Sequence, residues 1–216
     1  ILSRELKHLG LKGYHIKAGK VRRGALTGTK FDCIVENSPH VERPLKEIVK
    51  LIDKSSLNKK AKETAIGIFT TIGRAEAKVH GAKSCQDAEF HELGQIDSIV
   101  DIVGTAIAID ELGINKFYSS GVNLGWGIGR AGHGAIPLPG PATLEILKGA
   151  PVRISNIEAE LVTPTGAGIL KYLCDGFGTM PEMKISDIGY GAGSMILREL
   201  PNMLRIVIGE KDTLCA

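Results

Sequence analysis

The segment from Ile96 to Leu112 constrains the fold of this 216-residue chain more than any other. Its apolar residues point in almost every direction of a helical projection, and such a helix needs neighbours nearly all round. Its one polar stripe consists of Asp97, Asp101 and Thr105, spaced four residues apart. We therefore predict a central helix covered by other elements, which a chain of this length can supply.

The other predicted elements are grouped by type along the chain. Helical spacing and capping residues predict further helices at about 1–9, 44–54, 58–80, 141–148 and 164–174. Extended runs predict strands at 14–21, 30–35, 116–125, 152–157, 183–193 and 204–210. We therefore expect an α+β fold in which mixed sheet elements flank a central helical segment. We treat 1–216 as a single α+β domain, helix-rich at about 43–113 and β-rich at about 114–216.

Composition argues against several classes of protein. A net charge of +3 and an aromatic content of 5% supply neither the basic surface nor the stacking side chains of a nucleic-acid binder. No apolar run is long enough to span a bilayer, and no secretory leader precedes the first helix. The 4 cysteines are scattered, as in a reducing compartment. We expect a cytoplasmic protein that binds neither nucleic acid nor membranes.

Glu76 and His80 lie four residues apart on the predicted helix 58–80, so their side chains share one face. A carboxylate on an apolar stripe is costly unless it is paired or bound to a metal. Two interpretations stay open from the residues alone. Glu76 either forms an ordinary ion pair at the rim of the helix or ligates a metal with His80.

The polar stripe of the central helix poses the same question. Asp97 and Asp101 repel each other at this spacing, and burying both is expensive without a cation. An N-cap role for Asp97 with a basic partner for Asp101 is the alternative, and we favour a cation site. His91 and Glu92 lie nearby in sequence, and a mixture of imidazole and carboxylate ligands suits Ni, Zn, Mn or Fe.

Residues 125–142 are rich in glycine and proline and predict an irregular loop. The loop contains Gly127-x-Gly129-x-x-Gly132, but the prolines that follow prevent a helix, so we reject dinucleotide binding. His133 is an exposed candidate ligand or acid–base group. Farther along, Thr163 and Gly166 open a predicted helix whose free N–H groups either bind a phosphate or are simply capped.

Several motifs in order along the chain resemble the LarC family of nickel-insertion proteins. These motifs are GKVRRGALTGTKFD (19–32), AEAKVHG (75–81), FHELGQIDSIVDIVG (90–104), GHGAIPLPGPATLEILKG (132–149), ELVTPTGAGIL (160–170), IGYGAG (188–193) and PNMLRIVIGE (201–210). The resemblance implies a nickel chelatase, a lyase of cofactor biosynthesis. Such enzymes insert Ni(II) into pyridinium-3,5-bisthiocarboxylic acid mononucleotide, forming the nickel-pincer nucleotide, and consume CTP with Mg or Mn.

The resemblance also suggests roles for individual residues. Candidate catalytic carboxylates, which would accept the proton released on metallation, are Glu92 and Asp97. Candidate metal ligands are Glu76, His80, His91, Asp101 and His133. Candidate groups for binding the substrate phosphate are Lys30, Thr163, Thr165 and Gly166.

The chain departs from the family pattern in four places. Residues 37–43 keep only His40 of a His-rich cluster, and Glu89 replaces the first His of a His-Phe-His-Glu motif. We also expect the family's Gly/Asp-rich amino-terminal stretch and carboxyl-terminal domain to be absent. The alternatives are a nickel metallochaperone or scaffold subunit and a metal-dependent nucleotide hydrolase. We expect either a homo-oligomer or a partner subunit that carries the missing domain.

Overall fold

A computed structural model describes residues 1–36, 43–87, 90, 94–131 and 134–211. The chain forms two compact units. The first unit comprises Ile1–Tyr14 and Val35–Thr179, and the second comprises His15–Ile34 and Met180–Ala216. The predicted α+β class is confirmed by the mixture of helices and sheets. The prediction of a single domain, helix-rich at about 43–113 and β-rich at about 114–216, divides the chain by secondary-structure content, whereas the two units are defined by contacts. It stays a prediction.

The helices of the described residues all lie in the first unit. They are α1 (Leu2–Glu5), α2 (Leu45–Lys54), α3 (Lys59–Val79), α4 (Ile96–Glu111), α5 (Pro141–Ile146) and α6 (Pro164–Leu173), with 3₁₀ turns at Leu6–Leu9 and Cys85–Asp87. Every predicted helix is present, and its ends agree with the sequence to within a few residues. Across the part of the chain that the structure describes, no helix is both long and apolar enough to cross a bilayer.

Helix α3 is the packing centre of the first unit, because α2, α4, α5 and α6 all contact it. Its start is fixed by the predicted cap: the side-chain oxygen of Asn58 accepts a hydrogen bond of 3.0 Å from the Ala61 N–H. Its apolar face includes the fully buried Ile68, Phe69 and Ile72. The packing encloses the middle of the helix, whereas Lys78, Val79 and His80 at its carboxyl end are exposed.

Two glycines allow α3 and α6 to approach closely. A Cβ atom added at Gly168 would lie 2.4 Å from Cγ1 of Ile72, and one added at Gly67 would lie 2.1 Å from the Tyr172 ring. Real Cβ atoms essentially never make contacts under 3.0 Å. The interface between these helices therefore depends on the absence of a side chain at both positions.

Helix α4 is buried along its apolar faces and exposed along one stripe. The fully or nearly buried residues are Ile96, Ile99, Val100, Ile102, Val103, Ala106 and Ile107. Asp97 and Asp101 are exposed. The prediction of burial nearly all round is wrong on this stripe, because the fold turns the two like charges toward water and avoids the cost of desolvating them.

The strands are β1 (Tyr14–Arg23), β2 (Leu26–Val35), β3 (Tyr118–Ser119), β4 (Val122–Ala131), β5 (Gly134–Leu138), β6 (Val152–Glu158), β7 (Gly176–Phe177), β8 (Lys184–Ala192) and β9 (Met203–Glu210). In the first unit β4 pairs antiparallel with β5 and parallel with β6, while β3 and β7 form a small parallel pair. The second unit is a sheet of order β1-β2-β8-β9. Its central pair, β2 and β8, is parallel, with Thr29 opposite Gly191.

The predicted irregular loop at 125–142 is wrong for most of its length, since β4 and β5 occupy it. Glycine permits close backbone contact here: a Cβ atom at Gly125 would lie 1.9 Å from the carbonyl oxygen of Ala159. The small residues that suggested a loop thus allow strands to pack against neighbouring backbone.

Cys33, Cys85 and Cys174 are free thiols, as the scattered spacing predicts. Burial raises the pKa of the Cys174 thiol, and the neighbouring Asp175 carboxylate raises it further. A raised pKa disfavours the thiolate, which is the nucleophilic form of a cysteine.

Candidate functional site

Glu76 and His80 form a pair at the carboxyl end of α3. His80 Nε2 lies 3.4 Å from Glu76 Oε2, and the side chains are 45% and 13% exposed, respectively. The two side chains are therefore in contact at the rim of the helix, and ligation of a metal by them stays a prediction. Metal–ligand bonds of about 2.1 Å place two ligands of one ion roughly 3.0–3.4 Å apart, so the same geometry suits shared ligation.

The last turn of α3 is held in place by a charge cluster. Lys78 Nζ lies 2.8 Å from Glu145 Oε1 on α5, and Lys148 Nζ lies 2.5 Å from the other carboxylate oxygen of Glu145. Hydrogen bonds from Lys148 and Lys78 hold the pKa of Glu145 below its usual value. Since His80 is two residues from Lys78, this cluster anchors the helix end that carries the Glu76–His80 pair.

Asp97 and Asp101 lie one turn apart on the exposed stripe of α4. Gln95, not Asp97, is the N-cap residue of α4, and Asp97 Oδ1 accepts a hydrogen bond of 2.8 Å from the Ser98 N–H. The N-cap alternative for Asp97 is therefore wrong. The burial argument for a cation is wrong as well, since both carboxylates are exposed. Metal handling or proton transfer by these residues stays a prediction.

Three of the candidate residues, His91, Glu92 and His133, lie outside the described residues, as does His40. Within the described ranges, no group of three or more His, Cys, Asp and Glu side chains could hold a metal ion. The described structure does bring Glu76 and His80 together on α3. Helix α3 itself packs directly against α4.

Arg43 and Gly94 are linked in a way that sequence reasoning missed. The Arg43 guanidinium donates a hydrogen bond of 3.2 Å from Nη1 to the carbonyl oxygen of Gly94. A Cβ atom at Gly94 would lie 2.5 Å from the backbone nitrogen of Arg43. The backbone just before α4 is therefore fixed against the start of α2. The glycine that ends the FHELG motif was the available signal.

At the start of α6, two backbone N–H groups of the first turn already donate hydrogen bonds to Thr163. Thr163 Oγ1 accepts a bond of 3.2 Å from the Gly166 N–H, and the Thr163 carbonyl oxygen accepts one of 2.9 Å from Ala167. The expected cap is confirmed, and it occupies the Gly166 amide. Phosphate binding by Thr163, Thr165 and Gly166 stays a prediction.

Lys30 lies on β2 in the second unit, whereas the other described candidate residues lie in the first. Its side chain is 17% exposed, and its ammonium group forms an ion pair with the Asp32 carboxylate. An incoming phosphate would have to compete with that carboxylate. Its role as a phosphate ligand stays a prediction.

Comparison with known proteins identifies the family. The family model described as nickel insertion protein matches residues 1–215. The chain belongs to the nickel insertion protein family. The resemblance drawn from the motifs is thereby confirmed.

Two relatives in this nickel insertion family show how the chain compares in length. It is 47% identical over 216 residues to the pyridinium-3,5-bisthiocarboxylic acid mononucleotide nickel insertion protein of Geobacillus kaustophilus, covering 96% of this chain and 52% of that protein. It is 41% identical over 210 residues to the protein of the same name from Desulfitobacterium hafniense, covering 97% of this chain and 52% of the relative. The chain thus spans about half the length of these relatives. No solved structure matches it.

Proposed function

We propose that this member of the nickel insertion family is the metal- and substrate-handling portion of a cytoplasmic enzyme that inserts Ni(II) into pyridinium-3,5-bisthiocarboxylic acid mononucleotide. The observation that carries the proposal is the match of the family model to residues 1–215. Two relatives at 47% and 41% identity bear the name of this reaction. Nickel is a substrate here, and the product is the nickel-pincer nucleotide.

Nickel binding begins, in this proposal, at the Glu76–His80 pair. Imidazole nitrogen and carboxylate oxygen suit a borderline cation such as Ni(II). The 3.4 Å separation of Nε2 and Oε2 fits two ligands of one ion. His91, Asp101 and His133 are the proposed further ligands.

The chemical step replaces a C–H bond of the pyridinium ring with a C–Ni bond. The electron pair of the C–H bond stays on carbon and forms the bond to Ni(II), so a proton is released. Glu92 or Asp97 accepts that proton as a general base. Asp97 is exposed on α4, so a bound substrate can reach its carboxylate.

The family resemblance adds CTP with Mg or Mn as a co-substrate of the whole enzyme. Lys30 and the Thr163–Gly166 turn, which the sequence suggests as contacts for the substrate phosphate, are already engaged by the Lys30–Asp32 ion pair and the α6 cap. A homo-oligomer or a partner subunit is proposed to complete the enzyme.

Calorimetric titration of Ni(II) tests the metal-binding part of the proposal. We expect one saturable Ni(II) site in wild type, weakened at least tenfold by His91→Ala and by Glu76→Gln. The matched control is Glu63→Gln, because Glu63 is an exposed carboxylate on the same helix, 3.8 Å from Lys59. Absence of a saturable Ni(II) site in wild type would refute nickel handling by this chain.

A turnover assay then separates an enzyme from a carrier. Wild type, the mononucleotide, Ni(II) and Mg–CTP are mixed, and the nickel-pincer product is measured by mass spectrometry. The enzymatic proposal is supported if wild type forms the product and if Asp97→Asn or Glu92→Gln forms less of it. Tight Ni(II) binding without product would instead favour the metallochaperone or scaffold alternative.

A further inference from the structure

A groove runs between the first 3₁₀ turn and α2. We call it the α2 groove, and its lining residues are His8, Leu9, Gly10, Arg43, Glu47, Lys50, Leu51, Lys54 and Ser55. All of them belong to the first unit. Leu9 and Leu51 give the groove an apolar part, while the remaining side chains make its walls polar. Small-molecule sites combine apolar and polar lining residues in this way.

The walls of the α2 groove carry an excess of positive charge. Arg43, Lys50 and Lys54 contribute cations, and among the lining residues that the structure describes Glu47 is the one carboxylate. None of the ion pairs formed by the residues that the structure describes includes Lys50, Lys54 or Glu47. The two ammonium groups lie one turn apart on α2, so both can reach one bound anion.

This arrangement differs from the phosphate contacts that the sequence suggested. The Gly166 amide donates to Thr163, and the Lys30 ammonium pairs with Asp32. Among the described residues, neither Lys50 nor Lys54 forms an ion pair with a carboxylate. An arginine beside two lysines also matches phosphate well, since the guanidinium offers paired donors and the ammonium groups offer point charge.

Arg43 connects the groove to the candidate catalytic segment. Its Nη1 donates to the Gly94 carbonyl oxygen, and Gly94 directly precedes the Gln95 cap of α4. Glu92 lies two residues before Gly94 in sequence, and Asp97 lies three residues after it. Arg43 therefore lines the groove and also contacts the backbone just before α4, the helix that carries Asp97.

We propose that the α2 groove binds the phosphate of the pyridinium mononucleotide substrate, through Arg43, Lys50 and Lys54. The identity of the substrate rests on the proposed function, whereas the site rests on the three cations that line the groove. The triphosphate of CTP carries the same phosphate chemistry, so the experiment compares the two sources directly.

The test uses calorimetry on the full chain with nicotinic acid mononucleotide, a pyridinium mononucleotide, as the probe. Parallel titrations use CTP and Ni(II). The groove variant is Lys50→Gln/Lys54→Gln, and the matched control is Lys59→Gln/Lys60→Gln, which removes two exposed lysines outside the groove. Because all four lysines are exposed, we expect both variants to melt at the wild-type temperature.

We expect the groove variant to bind the mononucleotide at least tenfold more weakly than wild type, and the control to bind within twofold of it. Unchanged mononucleotide binding in the groove variant would overturn the inference, as would the absence of binding to wild type. If the groove variant lost binding of CTP but kept binding of the mononucleotide, the inference would be overturned, and the groove would instead be a site for the triphosphate of CTP. The Ni(II) titration distinguishes failure of the groove proposal from failure of the proposed function. If Ni(II) binds but the groove variant binds the mononucleotide like wild type, the proposed function stands and the groove proposal does not. If the groove variant loses mononucleotide binding but wild type binds no Ni(II), only the nickel role is refuted.

Discussion

In the first unit Phe69, Ile72 and Ile99 are completely buried, whereas in the second unit Leu204 is 63% exposed and Ile206 is 54% exposed. Every apolar side chain in the described core belongs to the first unit. The sheet of the second unit is joined mainly by its strand pairing, most extensively between β8 and β9. The comparison teaches that side-chain packing stabilises one unit and backbone hydrogen bonding the other, so equivalent substitutions should have unequal effects.

The largest expected effect is the loss of a core ring. Phe69→Ala removes a side chain that is 0% exposed and lies 6.4 Å, between ring centroids, from Phe90. We expect a loss of about 3–5 kcal/mol of unfolding free energy, measured by urea denaturation. Leu204→Ala in the second unit is the control and should cost less than about 1 kcal/mol. Equal losses would contradict the contrast between the units.

A second pair of variants sharpens the contrast by adding one methyl group to each unit. Gly168→Ala places a Cβ atom 2.4 Å from Ile72 Cγ1, whereas a Cβ atom at Gly189 meets nothing within 4 Å. We expect Gly168→Ala to cost about 1–3 kcal/mol through overpacking, and Gly189→Ala to be close to neutral. Urea denaturation measures both, and a neutral Gly168→Ala would show that α3 and α6 can separate easily.

These contrasts also show which features of the molecule could be predicted from its sequence. Helix α3 was predicted because its cap, its apolar spacing and its terminal glycine are all local signals. The hairpin of β4 and β5 was missed because glycine-rich strands lack the alternation of apolar residues that marks a strand. The parallel pairing of β2 with β8 joins distant segments and has no local signal at all.

The same distinction applies to the candidate site. The Glu76–His80 pair followed from the helical spacing, because the partners are one turn apart. The exposure of Asp97 and Asp101 did not follow, since only the packing of α4 decides which of its faces meets water. The contact of Arg43 with Gly94 depends on how the start of α2 packs against the segment before α4, and no spacing rule covers it.

A smaller effect is expected at the start of α3. Asn58→Ala removes the side-chain oxygen that accepts the Ala61 N–H, and should cost about 1 kcal/mol. The Asn58 amide also donates to the Asp110 carboxylate, so the control is Asn58→Ser, which keeps an uncharged acceptor at the cap and should retain more of the wild-type stability than Asn58→Ala. Thermal melting followed by circular dichroism measures both. Similar losses in the two variants would mean that the cap does not stabilise this helix.

The smallest expected effect is electrostatic and depends on pH. Lys116 and the Phe117 N–H hold the pKa of Asp175 below its ordinary value of 3.8. The ionised carboxylate therefore stabilises the fold above the unfolded pKa, and this contribution is lost as pH falls through the folded value. We expect Asp175→Asn to lower the melting temperature slightly at pH 7 and to differ less from wild type near pH 3. A difference that grows on acidification would refute this assignment.

The parallel pairing of β2 with β8 has a consequence for the newly synthesised chain. Residues of β2 leave the ribosome long before those of β8, and nearly all of the first unit is translated in between. Until β8 emerges, one edge of β2 lacks its native partner, and an open strand edge invites pairing with other nascent chains. The first unit can fold while translation continues, but the second must wait until its last strands have been made.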